Sequence, residues 1–513
     1  MRRILPVAAA VAAVVLAGCS GASPQASGAT SSDAPGGSAP SALSWHSCTA
    51  QGAPMQCASL QVPLDYSRPD GRKITLALSE VPATAPANKR QGVLLVNPGG
   101  PGGSGLSLAA FVAQSLDPSV AAEYDIVGFD TRGVGASVPS LSCDASFFSR
   151  ARPDYIPATS ADEQASESRA KTYAADCEKK YGWLLPYMTT ENIARDLDSI
   201  RVALGQQQIN YFAYSYGTYI GQVYATLFPH RVRRMVLDST VDPQGVWWAD
   251  NIQQDYAFEG RLQAFFAWMA RYDSVYHLGA TAAQVSSSFY AARADLEASP
   301  IPGPSGQPLI GPDEFDDTFL IGGYDNSYWP GLAAALSAYL HGHSTGQLVS
   351  QYDQEGTQNE NEFAVYNAVE CADVNWPRNW ATWNTATRQV YATAPFEAWD
   401  NAWYNASCAF WPVKGPSKPL QIKGAGLPGI LMLQGTLDPA TPYAGAQAAH
   451  RLLPSARMVV VEGGGNHGQS LESPANTCVQ NYLNNYLASG ALPSGTGQVN
   501  ATCPAVAPPN PVS

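Results

Sequence analysis

Charge is scarce in this sequence. Only 14% of its 513 residues are charged, and 29 basic residues stand against 42 acidic ones, which gives a net charge of −13. No stretch gathers Lys and Arg into a basic cluster, so the electrostatic surface that nucleic-acid binding requires is missing. Hydrophobic residues make up 45% of the chain, which is ample for a buried core. The acidity mildly favours substrates that carry an amine or another cationic group.

The apolar run near the N-terminus is too short for an ordinary transmembrane helix. It covers residues 4–16, follows two arginines and ends in Leu-Ala-Gly-Cys19, so we predict a signal peptide over residues 1–18. Leu-Ala-Gly-Cys resembles the bacterial lipobox, whose Cys becomes the lipid-modified first residue of the mature chain; a plain secretory signal is the alternative. Residues 19–44 are rich in Ser, Ala, Gly and Pro and predict a flexible tether. We therefore expect an exported protein, lipid-anchored through Cys19 on the outer face of the cell membrane, with shedding into the extracellular space as the alternative.

The paired CxxC spacing of a structural zinc site is absent. Besides Cys19 the chain has eight cysteines, an even number typical of disulfide-bonded exported proteins. His341 and His343 form the only close His pair and have no acidic residue beside them, so we expect no metal site. Sequence cannot fix the disulfide pairing, but sequential pairs keep each loop within one local segment. We therefore expect Cys48–Cys57, Cys143–Cys177, Cys371–Cys408 and Cys478–Cys503.

Strand and helix patterns alternate over residues 92–240. The continuous apolar run at 92–96 is typical of a buried parallel strand, and we interpret residues 123–130 and 234–238 as further strands. Residues 189–204 carry the apolar stripe of an amphipathic helix. This alternation predicts a doubly wound, mostly parallel α/β domain. Before it, the alternating segment CASLQVPLDYSRP predicts an edge strand, with residues 73–81 as its hairpin partner.

The alternation stops between residues 243 and 415. Helical patterns replace it, no parallel strand is evident, and ten of the twelve tryptophans fall there. We interpret this segment as a mainly helical cap inserted into the core, in which most of the aromatic residues pack against one another. The core would then comprise residues 45–242 and 416–513, with further strands at 429–434 and 458–462.

The segment INYFAYSYGTYIGQVYATL, residues 209–227, joins a strand pattern directly to a helix pattern. Ser215 lies at the junction, with the small residues Ala213 and Gly217 two positions before and after it. A strand, a Ser in a tight turn and a helix form the context of a nucleophile elbow. We therefore identify Ser215 as the candidate nucleophile; a Ser in an ordinary βα loop is the alternative.

Five glycines lie within residues 97–105, directly after a predicted strand. The Gly-Lys-Ser/Thr of a P-loop and the spacing of a Rossmann motif are both missing, so we expect no nucleotide cofactor, and indeed no cofactor at all. α/β-Hydrolases place an oxyanion-hole N–H in a glycine-rich turn after an early strand. We expect N–H groups of Gly100, or a neighbour, and of Tyr216 to form that hole; a purely structural turn is the alternative.

A candidate acid and base follow Ser215 in the α/β-hydrolase order. Asp438 follows the strand at 429–434, and His467 lies in a loop directly after the strand at 458–462. His467 would take the proton of Ser215, and Asp438 would orient the imidazole and stabilise its protonated form. Asp238 is the competing acid; His450 falls in a helix pattern, where we expect it to be exposed.

Five segments together resemble the secreted tripeptidyl aminopeptidases, which are proline-iminopeptidase-like serine exopeptidases of the α/β-hydrolase fold. They are VPLDYSRP, NPGGPGGSG, YDIVGFDTRGVGAS, YSYGTYIGQVYATLFPHRVRRMVLD and GTLDPATP. The resemblance implies that Ser215, Asp438 and His467 are the triad and that short peptides with a free N-terminus are the substrates. Ala213 and Ser239 stand where this family commonly has Gly, and we expect neither to touch the chemistry.

An aminopeptidase needs a carboxylate that pairs with the substrate's α-ammonium group. The segment Val-Glu-Cys-Ala-Asp places Glu370 and Asp373 beside a cysteine in an otherwise charge-poor cap. We hypothesise that Glu370 or Asp373 binds the amine; a solvated surface pair is the alternative. For the whole protein, the alternative function is a cell-surface carboxylesterase or lipase that uses the same triad on esters.

Overall fold

The structure, a computed structural model, describes residues 43–50, 53–149, 152–303 and 308–512. The predicted signal peptide, the lipidation residue Cys19 and nearly all of the predicted tether lie outside these residues. The strands in the described ranges are β1 (His46–Ala50), β2 (Ala53–Pro63), β3 (Lys73–Val81), β4 (Gly92–Asn97), β5 (Tyr124–Phe129), β6 (Ile209–Tyr214), β7 (Val232–Asp238), β8 (Ile301–Pro302), β9 (Pro308–Ile310), β10 (Ile430–Gly435), β11 (Ala456–Glu462) and β12 (Ala501–Pro504).

The helices lie between these strands, the first after β4 and the last before β12. In the described ranges they are α1 (Leu108–Ser115), α2 (Pro118–Ala121), α3 (Ser160–Tyr181), α4 (Thr190–Ala203), α5 (Tyr216–Leu227), α6 (Trp248–Arg271), α7 (Asp273–Tyr276), α8 (Ala282–Ala298), α9 (Pro312–Tyr324), α10 (Trp329–Gly342), α11 (Gly346–Gln351), α12 (Glu360–Asp373), α13 (Trp380–Tyr391), α14 (Pro395–Asn405), α15 (Tyr443–Leu452) and α16 (Thr477–Ser489).

A ten-stranded sheet with the order β1-β2-β3-β5-β4-β6-β7-β10-β11-β12 forms the centre of the described structure. The pairs up to β3-β5 are antiparallel and every later pair is parallel. The chain leaves β4 toward β5 on one side and returns to β6 on the other, so β4 and β6 flank a topological switch point. Open α/β sheets bind their ligands beyond the carboxyl ends of the strands at such a point.

Helices cover both faces of the parallel part of this sheet. Leu94, Phe212 and Leu431 pack with α1 and α16 on one face, whereas Tyr211 and Met432 pack with α4 and α5 on the other. Burial on both faces explains why the strands are continuous apolar runs rather than alternating ones. The predicted mostly parallel, doubly wound α/β fold is confirmed.

Both ends of the sheet differ from the prediction. The segment around β2 was expected to form an edge strand, but β1 pairs with it antiparallel on its outer side, so that prediction is wrong. At the other end, β12 pairs with β11 and was not predicted at all. Both outer strands are short, so neither gives a clear periodic signal in the sequence.

The segment between β7 and β10 holds helices α6 to α14 and the small antiparallel pair β8-β9. It has a hydrophobic core of its own that is rich in aromatic side chains, such as Phe265, Phe289 and Trp329. In the same segment, the Trp383 ring stacks on the rings of Trp376 and Trp380. In the described residues no helix combines the length and apolar character needed to cross a membrane.

Four disulfides connect residues that are close in sequence. They are the four sequential pairs expected, Cys48–Cys57, Cys143–Cys177, Cys371–Cys408 and Cys478–Cys503. The pairing prediction is therefore confirmed. Cys371–Cys408 fastens the end of α12, directly after Glu370, to the turn that follows α14.

Candidate active site

Ser215 occupies the sharp turn between β6 and α5. Its backbone has φ 54° and ψ −132°, a conformation that residues with a side chain rarely adopt and that is often found at functional sites. The turn brings strand and helix so close that a Cβ on Gly217 would lie 2.9 Å from the Ala213 Cβ and 2.6 Å from the Asn97 Oδ1. The close approach explains why small residues flank Ser215 on both sides.

The glycine-rich turn after β4 packs directly against Ser215. A Cβ on Gly99 would lie 2.8 Å from the Ser215 Cβ and 3.0 Å from the backbone nitrogen of Tyr216, and Gly99 has φ 101°. The Asn97 side chain accepts a hydrogen bond from the Gly99 N–H (3.0 Å) and holds the turn in place. Gly100 and Tyr216, the two expected oxyanion-hole residues, both line the same cavity as Ser215.

His467 is held on two sides. Its Nδ1 lies 2.9 Å and 3.1 Å from the two carboxylate oxygens of Asp438, and its backbone N–H donates to the Tyr324 carbonyl at the end of α9 (2.7 Å). Asp438 has no exposed side-chain surface, and 12% of the His467 side chain is exposed. The backbone N–H groups of Ala440 and Thr441 and the Thr441 hydroxyl donate to the Asp438 carboxylate, each at 3.0 Å.

The residue before His467 also contacts the segment between β7 and β10. The Asn466 side chain accepts from the Asn326 N–H (3.1 Å) and donates to the Asp325 carboxylate (3.0 Å). Together with the Tyr324 carbonyl, these contacts fasten the His467 loop to the residues that follow α9.

The charge state of His467 depends on its acidic neighbours. Burial alone would lower the pKa of the imidazole, but the Asp438 carboxylate and its hydrogen bond, with a smaller contribution from Asp238, raise that pKa above its usual value. A raised pKa makes the neutral imidazole a stronger base. It also means that the proton-accepting form is lost as the pH falls through this pKa.

Ser215 and His467 line one cavity of about 470 Å³ between the sheet and the helices of the β7–β10 segment. Asp438 lies behind His467, on the side of the imidazole that faces away from the cavity. The structure thus brings Ser215, His467 and Asp438 together with both expected oxyanion-hole residues. Among the described residues no group of three or more His, Cys, Asp and Glu side chains has the arrangement of a metal site.

The cavity is acidic. Six carboxylates line it and no Lys or Arg does so among the described residues; the six are Asp242, Asp250, Glu362, Glu370, Glu397 and Asp400. Burial raises the pKa of Glu370 and Glu397 well above its usual value, and for Asp400 burial and the neighbouring Asp317 do the same. The Glu397 Oε1 has no hydrogen-bond partner. A bound cation would favour the ionised form of these carboxyl groups, because its positive charge compensates for the hydration that burial removes.

The two residues expected to bind an amine lie in different places. Glu370 lines the cavity of Ser215, and the Asn251 side chain contacts its carboxylate at 3.5 Å. Asp373 lies outside that cavity and lines a separate one, where it accepts hydrogen bonds from the Thr190 N–H (2.7 Å) and hydroxyl (2.6 Å). The Thr190 hydroxyl also contacts the Tyr216 hydroxyl (2.8 Å), so Asp373 supports the elbow helix instead of facing the nucleophile.

The sequence did not point to Glu397 and Asp400, which line the cavity from α14. Two acids three residues apart in a charge-poor helical segment could have been noticed, because that spacing places both on one helix face. Ser239 was expected not to touch the chemistry; in the described structure it forms no hydrogen bond with Ser215, Asp438 or the His467 ring, but it does contact the residue that follows His467. Its backbone has φ 59°, a conformation that Gly adopts without strain, and its hydroxyl accepts a hydrogen bond from the Gly468 N–H (2.8 Å) next to His467.

The two competing candidates have other contacts. His450 does lie in a helix, α15, but it is buried rather than exposed, and its Nε2 contacts the Ala456 carbonyl at 3.2 Å. Asp238 is fully buried at the end of β7, and its carboxylate accepts from residues 469 and 470. Neither has a hydrogen bond to the His467 imidazole.

Known families and proteins match this chain over most of its length. The family described as "TAP-like protein" matches residues 394–503 and the "alpha/beta hydrolase fold" family matches residues 92–288. A tripeptidyl aminopeptidase of Streptomyces coelicolor is 41% identical over 91% of this chain and 87% of its own. For serine protease Hip1 of Mycobacterium tuberculosis the values are 32%, 85% and 86%, and for carboxylesterase B of the same organism 33%, 96% and 97%.

Solved structures of α/β hydrolases match as well, at low sequence identity. The proline iminopeptidase of Mycobacterium smegmatis is 15% identical with a TM-score of 0.36, covering 84% of this chain and 97% of its own. Esterase E22 is 13% identical with a TM-score of 0.39, covering 84% of this chain and 100% of its own.

Proposed function

Because the chain belongs to the tripeptidyl aminopeptidase family of α/β hydrolases, we propose that it is a serine exopeptidase that releases short peptides, tripeptides in particular, from free N-termini. One observation carries this proposal: the cavity that holds Ser215 and His467 is lined by six carboxylates and by no described basic side chain. A free N-terminus brings an ammonium group into this cavity. An acylated N-terminus or a neutral ester brings no charge to match it.

We assign the reaction to a Ser-His-Asp triad. The Ser215 Oγ attacks the scissile carbonyl while the His467 Nε2 takes its proton, and Asp438 stabilises the imidazolium that forms. N–H groups of Gly100 and Tyr216 receive the oxyanion. The imidazolium then gives the proton to the departing amine, which leaves an acyl-enzyme on Ser215. A water molecule, deprotonated by His467, attacks this ester and releases the peptide.

Carboxylates of the cavity wall bind the α-ammonium group in this proposal. Glu370, expected from the sequence, accepts a long hydrogen bond from the Asn251 side chain. Glu397 has one carboxylate oxygen without a hydrogen-bond partner and lies beside Asp400. Asp373 is no longer a candidate because Thr190 occupies its carboxylate outside the cavity. Glu370 and the Glu397–Asp400 pair are therefore the two candidate binding sites for the α-ammonium group.

The free amine is expected to be essential for rapid cleavage. Ala-Ala-Pro-Ala-aminocoumarin should be hydrolysed at least about 100-fold faster, in kcat/KM, than its N-acetylated twin, because acetylation removes the charge that the buried carboxylates require. Glu397→Gln or Glu370→Gln, whichever binds the amine, should reduce this preference. Glu297→Gln, an exposed change on α8, serves as the matched control.

Each other outcome has a definite meaning. Equal cleavage of both peptides would remove the ammonium anchor from the proposal. Failure to cleave either peptide, together with turnover of a short-chain ester, would show that the enzyme is a carboxylesterase that uses the same triad. An unchanged preference in both glutamine variants would move the anchor to another carboxylate of the wall.

Acidic peptides are expected to be poor substrates. A Glu at the second position of the peptide should lower kcat/KM about tenfold or more relative to Gln, because it adds a negative charge to a cavity wall with six carboxylates and no described basic residue. The measurement compares the two peptides, which differ in charge and hardly in size. Equal rates would mean that the side chain at this position points away from the carboxylates.

We also propose that the mature chain is exported and carries a lipid on Cys19, which would hold it on the outer face of the cell membrane. The support is the Leu-Ala-Gly-Cys segment after a short apolar run. Cys19→Ser is expected to move the enzyme from the membrane fraction to the culture medium or to block its processing. A variant that stays processed and membrane-bound would contradict the lipid anchor.

A further inference from the structure

The loop after His467 is held by the carboxylate of Asp238. The Gln469 N–H donates to one carboxylate oxygen of Asp238 (2.9 Å), and the Ser470 N–H (2.9 Å) and hydroxyl (2.5 Å) donate to the other. Asp238 is completely buried, so these three donors take the place of water around its charge. Hydrogen bonds to a charged acceptor are among the strong ones in proteins.

The same strand ends also hold the nucleophile. The backbone carbonyl of Asp238 accepts from the Ser215 N–H (3.1 Å). Next to it, the Ser239 hydroxyl accepts from the Gly468 N–H (2.8 Å), and the Tyr214 hydroxyl donates to the Ser470 carbonyl (2.8 Å). Tyr214, directly before Ser215, and two residues at the end of β7 therefore hold the three residues that follow His467.

We propose that Asp238 is a positioning residue, which sets the distance between His467 and Ser215 by holding the His467 loop and the Ser215 turn at the same time. Asp438 contacts the imidazole ring and sets its orientation. Asp238 contacts two backbone N–H groups of the loop and the hydroxyls of Ser470 and, at 3.5 Å, Ser239, but not the ring; it sets the position of the loop that carries the ring. This division rests on the proposed roles of Ser215 and His467. It requires no particular substrate, because it concerns the distance between base and nucleophile.

The charge of Asp238 also acts on His467. Burial raises the pKa of Asp238 to about 7, although the Ser470 hydroxyl and the two N–H groups lower it. The titratable groups that face it are Asp438, His467, Glu472 and Tyr214. When Asp238 is ionised it favours the protonated imidazole, so its removal is expected to lower the pKa of His467. A residue that only supports the fold would not move that pKa.

The test is Asp238→Asn, followed through the rate at which a fluorophosphonate labels Ser215 and through peptide turnover. We expect the labelling rate and kcat to fall about 10- to 100-fold, since a small displacement of a catalytic group has an effect of this size, with KM within about twofold. The acid limb of the labelling-rate profile should move to lower pH by a few tenths of a unit. An unchanged rate and an unchanged acid limb would overturn the proposal.

Two control variants separate charge from hydrogen bonding. Ser470→Ala keeps the carboxylate and should slow labelling a few-fold without moving the acid limb. Ser239→Gly removes the hydroxyl contact with Gly468 and the longer one with the Asp238 carboxylate (3.5 Å). Gly adopts the φ of 59° at this position without strain. Should Asp238→Asn fail to fold, the double variant Ser239→Gly/Ser470→Ala decides: about tenfold slower labelling supports the proposal, and a wild-type rate overturns it.

The rate of fluorophosphonate labelling tests the role of Asp238 independently of the proposed peptidase activity. The reagent needs only an activated Ser215 and no peptide site. Normal labelling without peptide hydrolysis in the wild type would contradict the exopeptidase and leave the role of Asp238 open to the same test.

Discussion

Ser215→Ala is expected to lower kcat by a factor of about 10⁶, the loss that follows removal of a serine nucleophile acting with its histidine. No Cys and no other Ser lines the described wall of the cavity, and the Thr441 hydroxyl there is bound to Asp438. Thr357 carries the remaining threonine hydroxyl of this described wall, and the control variant tests it. Steady-state turnover of the free-amine peptide measures the loss, with thermal unfolding to show that the variant folds.

The control for this experiment is Thr357→Ala, which changes another hydroxyl of the same cavity wall. It should stay within a few-fold of the wild-type rate because Thr357 has no part in the proposed reaction. Residual activity of Ser215→Ala above about 1% of wild type would contradict the assignment of the nucleophile.

Asp438→Asn is expected to lower kcat by about 10⁴ with little change in KM. An amide at this position would present an N–H₂ group or a neutral oxygen to the His467 Nδ1, so the imidazole would lose the charge that stabilises its protonated form and the partner that fixes its tautomer. The N–H groups of Ala440 and Thr441 both donate to Oδ1 of Asp438, and the amide oxygen of Asn can accept the same two bonds. The kcat values of wild type and variant, measured over a range of pH, provide the check.

The comparison with Asp238→Asn makes this prediction sharper. Both carboxylates are buried near His467, but only Asp438 contacts its ring. The expected losses therefore differ by about 100-fold or more. Equal losses would mean that the two acids share the role here given to Asp438, and a larger loss for Asp238→Asn would exchange their roles.

The sequence alone was sufficient to predict the candidate site residues whose positions depend on local backbone geometry. The Ser215 turn, the glycines after β4 and the loops that carry Asp438 and His467 each follow directly from a strand, and the end of a strand is visible in the periodicity of the chain. Because the carboxyl ends of neighbouring parallel strands meet at one edge of a sheet, the order of the motifs then predicts that they converge.

The sequence was not sufficient to predict which acidic residues line the cavity, because their positions depend on how separate helices pack. Glu370 and Glu397 reach the cavity from α12 and α14, whereas Asp373, three residues after Glu370, bonds to Thr190 far away in the sequence. Helical periodicity predicts that a residue is on a helix face but not which neighbour that face meets. Ser239 and Gly468 are 229 residues apart in the sequence, so no local sequence pattern predicts their contact.

The attachment of the His467 loop to the residues after α9 has a consequence for engineering. Three hydrogen bonds connect the loop of the proposed base, His467, to the segment between β7 and β10. One comes from the backbone N–H of His467, and two involve the side chain of Asn466. A chain trimmed to its α/β core would lose them all. If the segment between β7 and β10 is replaced by that of a relative, residues 324–326 of this chain should therefore be kept, because they make these hydrogen bonds.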